Sequence, residues 1–283
     1  MTKNESSLMS PDVRPAHLAG RWYPDNRTQL RQTIDDYLAV DTPPPRAQAL
    51  HGLLVPHAGM RYSGPVAGRA FAYLKAFASA YDTVVVIGPS HYPYNAPLIT
   101  TAHTHYQTPL GTVPVARGVV AALDKSLETL PVRDDPEHAI EIELPFLQVL
   151  LANFELVPIA MLDQSEAMCA KLARILNGAL QGRQTLFVAS SDLSHFYNQA
   201  TAHKLDQYVL DALQAYDPVG VLNAKHDARG LACGRGAIAT MMLMLAANAH
   251  QPHVHLDAYA TSGAVSGDYE RVVGYAAATF WGA

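Results

Sequence analysis

Three apolar runs in this 283-residue chain end on an imidazole. GLLV (52–55) runs into Pro56-His57-Ala58-Gly59, TVVVIG (83–88) into Pro89-Ser90-His91, and TLFVAS (185–190) into Ser191-Asp192-Leu193-Ser194-His195. In open α/β sheets ligands bind outside the carboxyl ends of the strands. If the three runs are strands of one such sheet, His57, His91 and His195 surround one crevice. Imidazole titrates near neutral pH and ligates metals, so it suits proton transfer and metal binding. A single histidine after a strand is more often incidental; three in the same position point to a shared site.

Two other stretches carry chemistry. Cys233 lies in GLACGRGA (230–237), among glycines and just ahead of a helical pattern. A helix N-terminus lowers a thiol's pKa and favours the thiolate that binds metals or attacks electrophiles. Glycine beside it signals close backbone approach rather than core filling. Cys169, within EAMCAKLARIL, reads instead as a small buried hydrophobe. DDPEHAIEIELPF (134–146) reads as the start of a helix capped by Asp135, with Pro136 at its first position and a bend at Pro145. On that helix Glu137 and Glu141, and His138 and Glu141, share a face, which makes His138 and Glu141 candidates for the site. The plainer reading of the two glutamates is that they face solvent or complement the helix dipole.

The elements that must position these residues alternate along the chain. Helical spacing covers residues 26–38, 65–80, 115–127, 136–152, 166–181, 203–215 and 236–249, and strand-like runs cover 52–55, 83–88, 154–162, 185–190, 254–261 and 271–281. Residues 41–48, DTPPPRAQ, form a proline-stiffened connector. Strands that are apolar throughout and separated by helices predict an α/β fold with a central, mostly parallel mixed sheet covered on both faces. The closing pair, joined by GAVSGDYE, fits an antiparallel hairpin. No linker divides the chain after residue 50. We therefore expect a disordered tail over 1–13 and a single domain over 14–283.

Composition removes several functional classes. A net charge of −5 with no basic stripe argues against nucleic-acid binding. No apolar run is long enough to span a bilayer, and the polar N-terminus lacks the apolar core of a secretion signal. Two cysteines make no disulfide framework, so a reducing cytoplasm is the expected location.

Taken in order, HLAGRWYP (17–24), PHAGMRYSGPVA (56–67), GPSH (88–91), PLGTVPV (109–115), EHAIEIELPFLQ (137–148), SSDLSH (190–195) and CGRGAI (233–238) resemble the Memo family. The family is also called AmmeMemoRadiSam system protein B. Each motif is weak alone, but seven in order across nearly the whole chain are specific. The resemblance implies a fold like that of the class III extradiol dioxygenases, which use non-haem iron(II). It places the family's metal-binding trio on His57, His91 and Cys233, with a cysteine where the dioxygenases carry a carboxylate. Asp192 and His195 match further pocket residues, and His138 and Glu141 lie in the family's acidic motif.

Two imidazoles and a thiolate leave metal positions open, as a catalytic centre requires. Zinc, iron(II) and copper all tolerate the set, and the dioxygenase-like fold favours iron(II). His195 is then the acid or base, and Asp192 either orients it or caps the following helix. Trp22, Tyr23 and Tyr62 are candidates for the pocket wall. Three functions follow: an iron- or copper-dependent oxidoreductase; a non-catalytic module holding a peptide or small molecule in the old pocket; and a zinc metallohydrolase. The sequence implies an unknown small-molecule or peptide ligand, and a homo-oligomer is compatible with it.

Overall fold

The apolar runs assemble into one mixed sheet in the computed structural model, which describes residues 12–41, 49–226, 229–248 and 252–282. Its strands are β1 (Ala49–Val55), β2 (Thr83–Pro89), β3 (Leu98–Thr101), β4 (Thr129–Val132), β5 (Glu155–Met161), β6 (Thr185–Ser190), β7 (His195–Tyr197), β8 (His253–Thr261) and β9 (Val272–Gly282). They run in the order β7-β9-β1-β6-β2-β5-β3-β4, with β8 on the other side of β9. The four central strands, β1, β6, β2 and β5, are parallel. All seven residues of β2 are buried, as a strand covered on both faces requires. The closing pair β8 and β9 is antiparallel, and β9 also runs antiparallel to β1.

Helices cover the sheet: α1 (Arg27–Leu38), α2 (Met60–Phe71), α3 (Arg117–Ser126), α4 (Leu144–Leu150), α5 (Glu166–Ala179), α6 (Gln199–Gln214), α7 (Pro218–Asn223) and α8 (Arg235–Asn248). Helix α8 lies against β1, β2 and β6 with α5 beside it, while α2 packs on β1 and β9 with α1 behind it. Gly68 makes the second contact possible, because a Cβ there would lie 2.3 Å from the Tyr37 carbonyl oxygen of α1. Among the described residues, no helix is long and apolar enough to cross a membrane.

Three segments differ from the sequence reading. The helix expected over 65–80 starts at Met60, keeps Pro65 inside it, and tightens into a 3-10 helix over Ala72–Phe77. The helix expected over 136–152 shrinks to α4, preceded by a single 3-10 turn at Glu141–Glu143. Two causes act there. Glu137 Oε1 accepts the backbone N–H groups of His138 and Ala139, at 2.8 and 3.0 Å, and Asp135 Oδ1 accepts that of Glu137 at 3.0 Å. These side chains satisfy the amides in competition with a helix. Pro145 then sits in the first turn of α4, where it is tolerated, rather than bending a longer helix. The third difference is at the N-terminus. Val13, assigned to the tail, pairs with His105 in a small sheet formed by Val13–Arg14, His105–Thr108 and Gly111–Pro114. Residues 1–11 of the expected tail and 42–48 of the connector lie outside the described residues.

Candidate metal centre

The three histidine-bearing loops leave adjacent parallel strands at the same edge. β1 leads to His57, its neighbour β6 to residues 191–195, and the next strand β2 to His91. Cys233 arrives from the other direction, two residues ahead of α8. Gly234 permits that approach, since a Cβ there would lie 2.4 Å from the Ser190 carbonyl oxygen. Gln164 clamps the turn: its Nε2 donates to the Cys233 carbonyl and its Oε1 accepts from Gly236 N, each at 2.8 Å.

One donor atom each from His57, His91 and Cys233 lies within 4.8 Å of the other two. Cys233 Sγ is 3.3 Å from His57 Nε2, and the rings of His57 and His91 meet edge to face at 5.3 Å. Both imidazoles have their other nitrogen engaged. His57 Nδ1 is 2.8 Å from Ser190 Oγ, and His91 Nδ1 is 2.9 Å from Glu137 Oε1. Nε2 is therefore the nitrogen each ring turns away from its outer partner, as in metal-ligating histidines, and that of His57 meets Cys233 Sγ. A tetrahedral centre with ordinary Zn–N and Zn–S bonds sets its ligand atoms about 3.3–3.6 Å apart. The donor set fits a metal ion with small side-chain adjustments.

Asp192 ties two of these residues together. Its Oδ1 accepts the His57 N–H at 2.8 Å, its own N–H donates to Cys233 Sγ at 3.3 Å, and its carbonyl accepts from Cys233 N at 3.2 Å. It neither orients His195 nor caps the following helix; Asn198 caps α6 by accepting from Thr201 N. Burial pushes the Asp192 carboxyl up to about 7, against the pull of the His57 and Ala58 amides. The Cys233 thiol also moves up, because it is buried and close to the Asp192 carboxylate. That reverses the lowering expected from a helix N-terminus: desolvation outweighs the dipole when no cation is bound.

His138 stacks on His91 with ring centres 4.3 Å apart, and the Trp22 ring meets it at a tilt with centres 4.5 Å apart. Burial lowers the His138 imidazole to about 4. Its neighbour Glu137 is the partner the sequence reading missed. Burial opposes ionisation of Glu137, but hydrogen bonds from the His91 ring and backbone and from Ala139 N hold its carboxyl at about 2. His91, Glu137 and His138 thus form a second group of donor atoms within 4.8 Å of one another.

Glu141 lies elsewhere. It is fully buried and accepts from Arg14 Nη1, from His17 N and Leu18 N at 3.1 and 2.8 Å, and from the Tyr23 hydroxyl at 2.6 Å. The helix that would have set it beside His138 does not form. Glu141 instead pins the N-terminal segment that carries Trp22, and Tyr23 belongs to that anchor rather than to a pocket wall. Tyr62 is exposed in the first turn of α2. Burial lowers the His195 pKa, and the nearby His91 adds to the lowering. Besides Glu137, the sequence reading missed Ser190 and Glu143, which stand behind His57 at 2.8 Å and, through Ser190 Oγ, a further 3.0 Å. The only signal for Glu143 was an acidic residue followed by LPF, a buried context.

A family model described as "Memo-like protein" matches residues 14–279. A MEMO1 family protein of Methanococcoides burtonii is 35% identical over 279 residues, covering 94% of this chain and 98% of the relative. One of Thermotoga petrophila is 35% identical over 280 residues, again covering 94% and 98%. One of Nitrosopumilus maritimus is 29% identical over 276 residues, covering 95% and 99%. The crystal structure of an uncharacterized protein from Escherichia coli K12 superposes with a TM-score of 0.53 at 14% identity, over 81% of this chain and 99% of that one, a likeness of fold alone. By its motifs, its length and its relatives, the chain belongs to the Memo family.

Proposed function

We propose that this Memo-family protein holds one metal ion between His57, His91 and Cys233 and acts as a dioxygenase-like oxidoreductase on a small-molecule or peptide ligand in the cytoplasm. The observation that carries the reading is the convergence of three donor atoms within 4.8 Å, with the outer nitrogens of both imidazoles already engaged. Iron(II) is favoured by the resemblance of the motifs to class III extradiol dioxygenases, with copper and zinc as the alternatives that a thiolate also suits. A bound iron or copper ion would supply open coordination positions and one-electron chemistry.

The chain's own residues have separable tasks. Cys233 must lose its proton as a cation arrives, and the Asp192 N–H stabilises the resulting thiolate. Glu137 holds the His91 ring from behind. His138 stacks beside His91 with Trp22 tilted against it, and the His91 side chain, 32% exposed, marks the side from which a ligand reaches the centre. Burial keeps the His195 imidazole neutral at neutral pH, ready to take a proton from a ligand hydroxyl and return it.

Anaerobic titration with iron(II), copper(I) and zinc tests the proposal. The wild-type chain should bind about one equivalent, and His57→Ala and Cys233→Ala should each weaken binding at least about tenfold. His195→Gln should leave binding unchanged. Equal binding by the wild type and a His57→Ala/His91→Ala double variant would move the chain to the binding-module reading.

A further inference from the structure

Behind His57 lies a closed set of contacts around one hydroxyl. Ser190 Oγ is 2.6 Å from the Ala139 carbonyl oxygen, 2.8 Å from His57 Nδ1 and 3.0 Å from Glu143 Oε1. Ser190 is fully buried and Glu143 very nearly so. Three contacts of hydrogen-bond length need three protons, one in each.

A serine hydroxyl brings one proton and two lone pairs. The Ala139 carbonyl can only accept, so the hydroxyl proton belongs to it, in the shortest of the three contacts. Both other contacts must then donate to Ser190 Oγ. His57 does so only as the Nδ1–H tautomer. Glu143 does so only as the neutral acid, with its proton on Oε1. Every other arrangement leaves two lone pairs facing each other across 3.0 Å or less in a buried site. If Glu143 were ionised, the single hydroxyl proton would have to serve two acceptors, and the carboxylate would carry an uncompensated buried charge. Burial moves the Glu143 equilibrium the same way, well above the ordinary carboxyl range.

We infer that Glu143 is a positioning residue that, as a neutral acid acting through Ser190, fixes His57 in the Nδ1–H tautomer and aims its Nε2 lone pair at Cys233. The two imidazoles of the centre are therefore keyed differently: His91 directly by an ionised carboxylate, His57 through a hydroxyl by an uncharged one. Glu143 touches no donor atom of the trio, and its effect on metal affinity rests on the proposed metal site. The tautomer itself does not.

The test begins on the metal-free wild-type chain. Long-range proton–nitrogen NMR of the His57 ring should report Nδ1 protonated and Nε2 bare; the reverse assignment overturns the inference. An infrared difference spectrum at neutral pH between wild type and Glu143→Gln should show loss of a carboxylic-acid carbonyl band. Loss of a carboxylate band instead overturns it. Ser190→Ala removes the hub hydroxyl but keeps the residue's backbone beside the His57 ring; metal binding should weaken about 10–100-fold and the Glu143 carboxylic-acid band should shift as its hydroxyl partner is lost. An unshifted band counts against the inference. A chain with the expected tautomer and acid band that binds no metal would sink the metal site and leave the role of Glu143 standing.

Discussion

Asp192 joins through one residue what the sequence separates by more than 170 positions: its carboxylate holds the His57 amide and its own amide reaches the Cys233 sulfur. Asp192→Ala removes the acceptor of the buried His57 amide and of the neighbouring Ala58 amide. We expect a stability loss of about 1–3 kcal/mol in chemical denaturation and a metal affinity about 10–100-fold lower by titration. An affinity equal to wild type would show that the aspartate does not organise the ligands. The motif SSDLSH marked Asp192 correctly but not its task, because a carboxylate that accepts from a loop 135 residues away leaves no local trace. Cys233 was more legible: the glycine after it signalled close approach, and Gly234 meets the Ser190 carbonyl. Gly234→Ala should therefore lower the melting temperature, with a cost of about 1–3 kcal/mol as the backbone moves apart. The direction of the thiol's shift was not legible, since burial is a tertiary property.

Among the elements, the stretch 134–150 shows where periodicity misleads. A helix would have put Glu137 and Glu141 on one face; the observed chain sends them to opposite tasks. Glu137 satisfies three backbone amides and the His91 ring, whereas Glu141 holds Arg14 and the segment bearing Trp22. Substitution should separate them. Glu141→Ala removes one of the two carboxylates that pair with the buried Arg14 guanidinium, along with the acceptor for Tyr23 and two backbone amides, and should cost about 3–5 kcal/mol, while the folded fraction keeps its metal stoichiometry. Glu137→Gln keeps one acceptor oxygen of two; it should cost about 1–3 kcal/mol by leaving part of the amide cluster unpaired, and, unlike Glu141→Ala, should weaken metal binding about tenfold or more. Elemental content measured beside thermal melts of both variants checks the pair, and a loss of metal in folded Glu141→Ala would return that residue to the site. The signal that was present, Asp135-Pro136 followed by an acidic residue, fits a side-chain-satisfied turn as well as a capped helix. Only the position of Pro145 favoured a late helix start.

At the scale of the molecule, the long apolar runs disclosed the parallel centre of the sheet and the common edge where its loops meet. The short strands β3, β4 and β7, of four, four and three residues, carry too few positions to show a period. The pairing of Arg14 with Asp135 and Glu141 across more than 120 residues is likewise a property of the fold alone. Burial sets the acid–base behaviour of the metal-free protein in two opposed ways. It lowers the folded pKa of His51, His57, His138 and His195, so their stabilising contribution is present above the unfolded value of 6.5 and is lost as pH falls. It raises the carboxyls of Asp135, Glu143, Asp192, Asp206 and Asp257, whose contribution is present at low pH and is lost as pH rises through their folded values, about 7 for Asp192. Denaturant unfolding of the chelated protein should therefore show stability falling as pH rises through about 7, where Asp192 ionises in the folded chain. A steady rise into the alkaline range would contradict the burial of these acids.

Elemental analysis of the protein purified without oxygen, beside Cys233→Ala prepared identically, decides whether His57, His91 and Cys233 hold a metal. About one iron, copper or zinc per wild-type chain is expected, and little in the folded variant. A wild-type chain that holds no metal and takes none up, or a variant that keeps its full complement, would contradict that expectation.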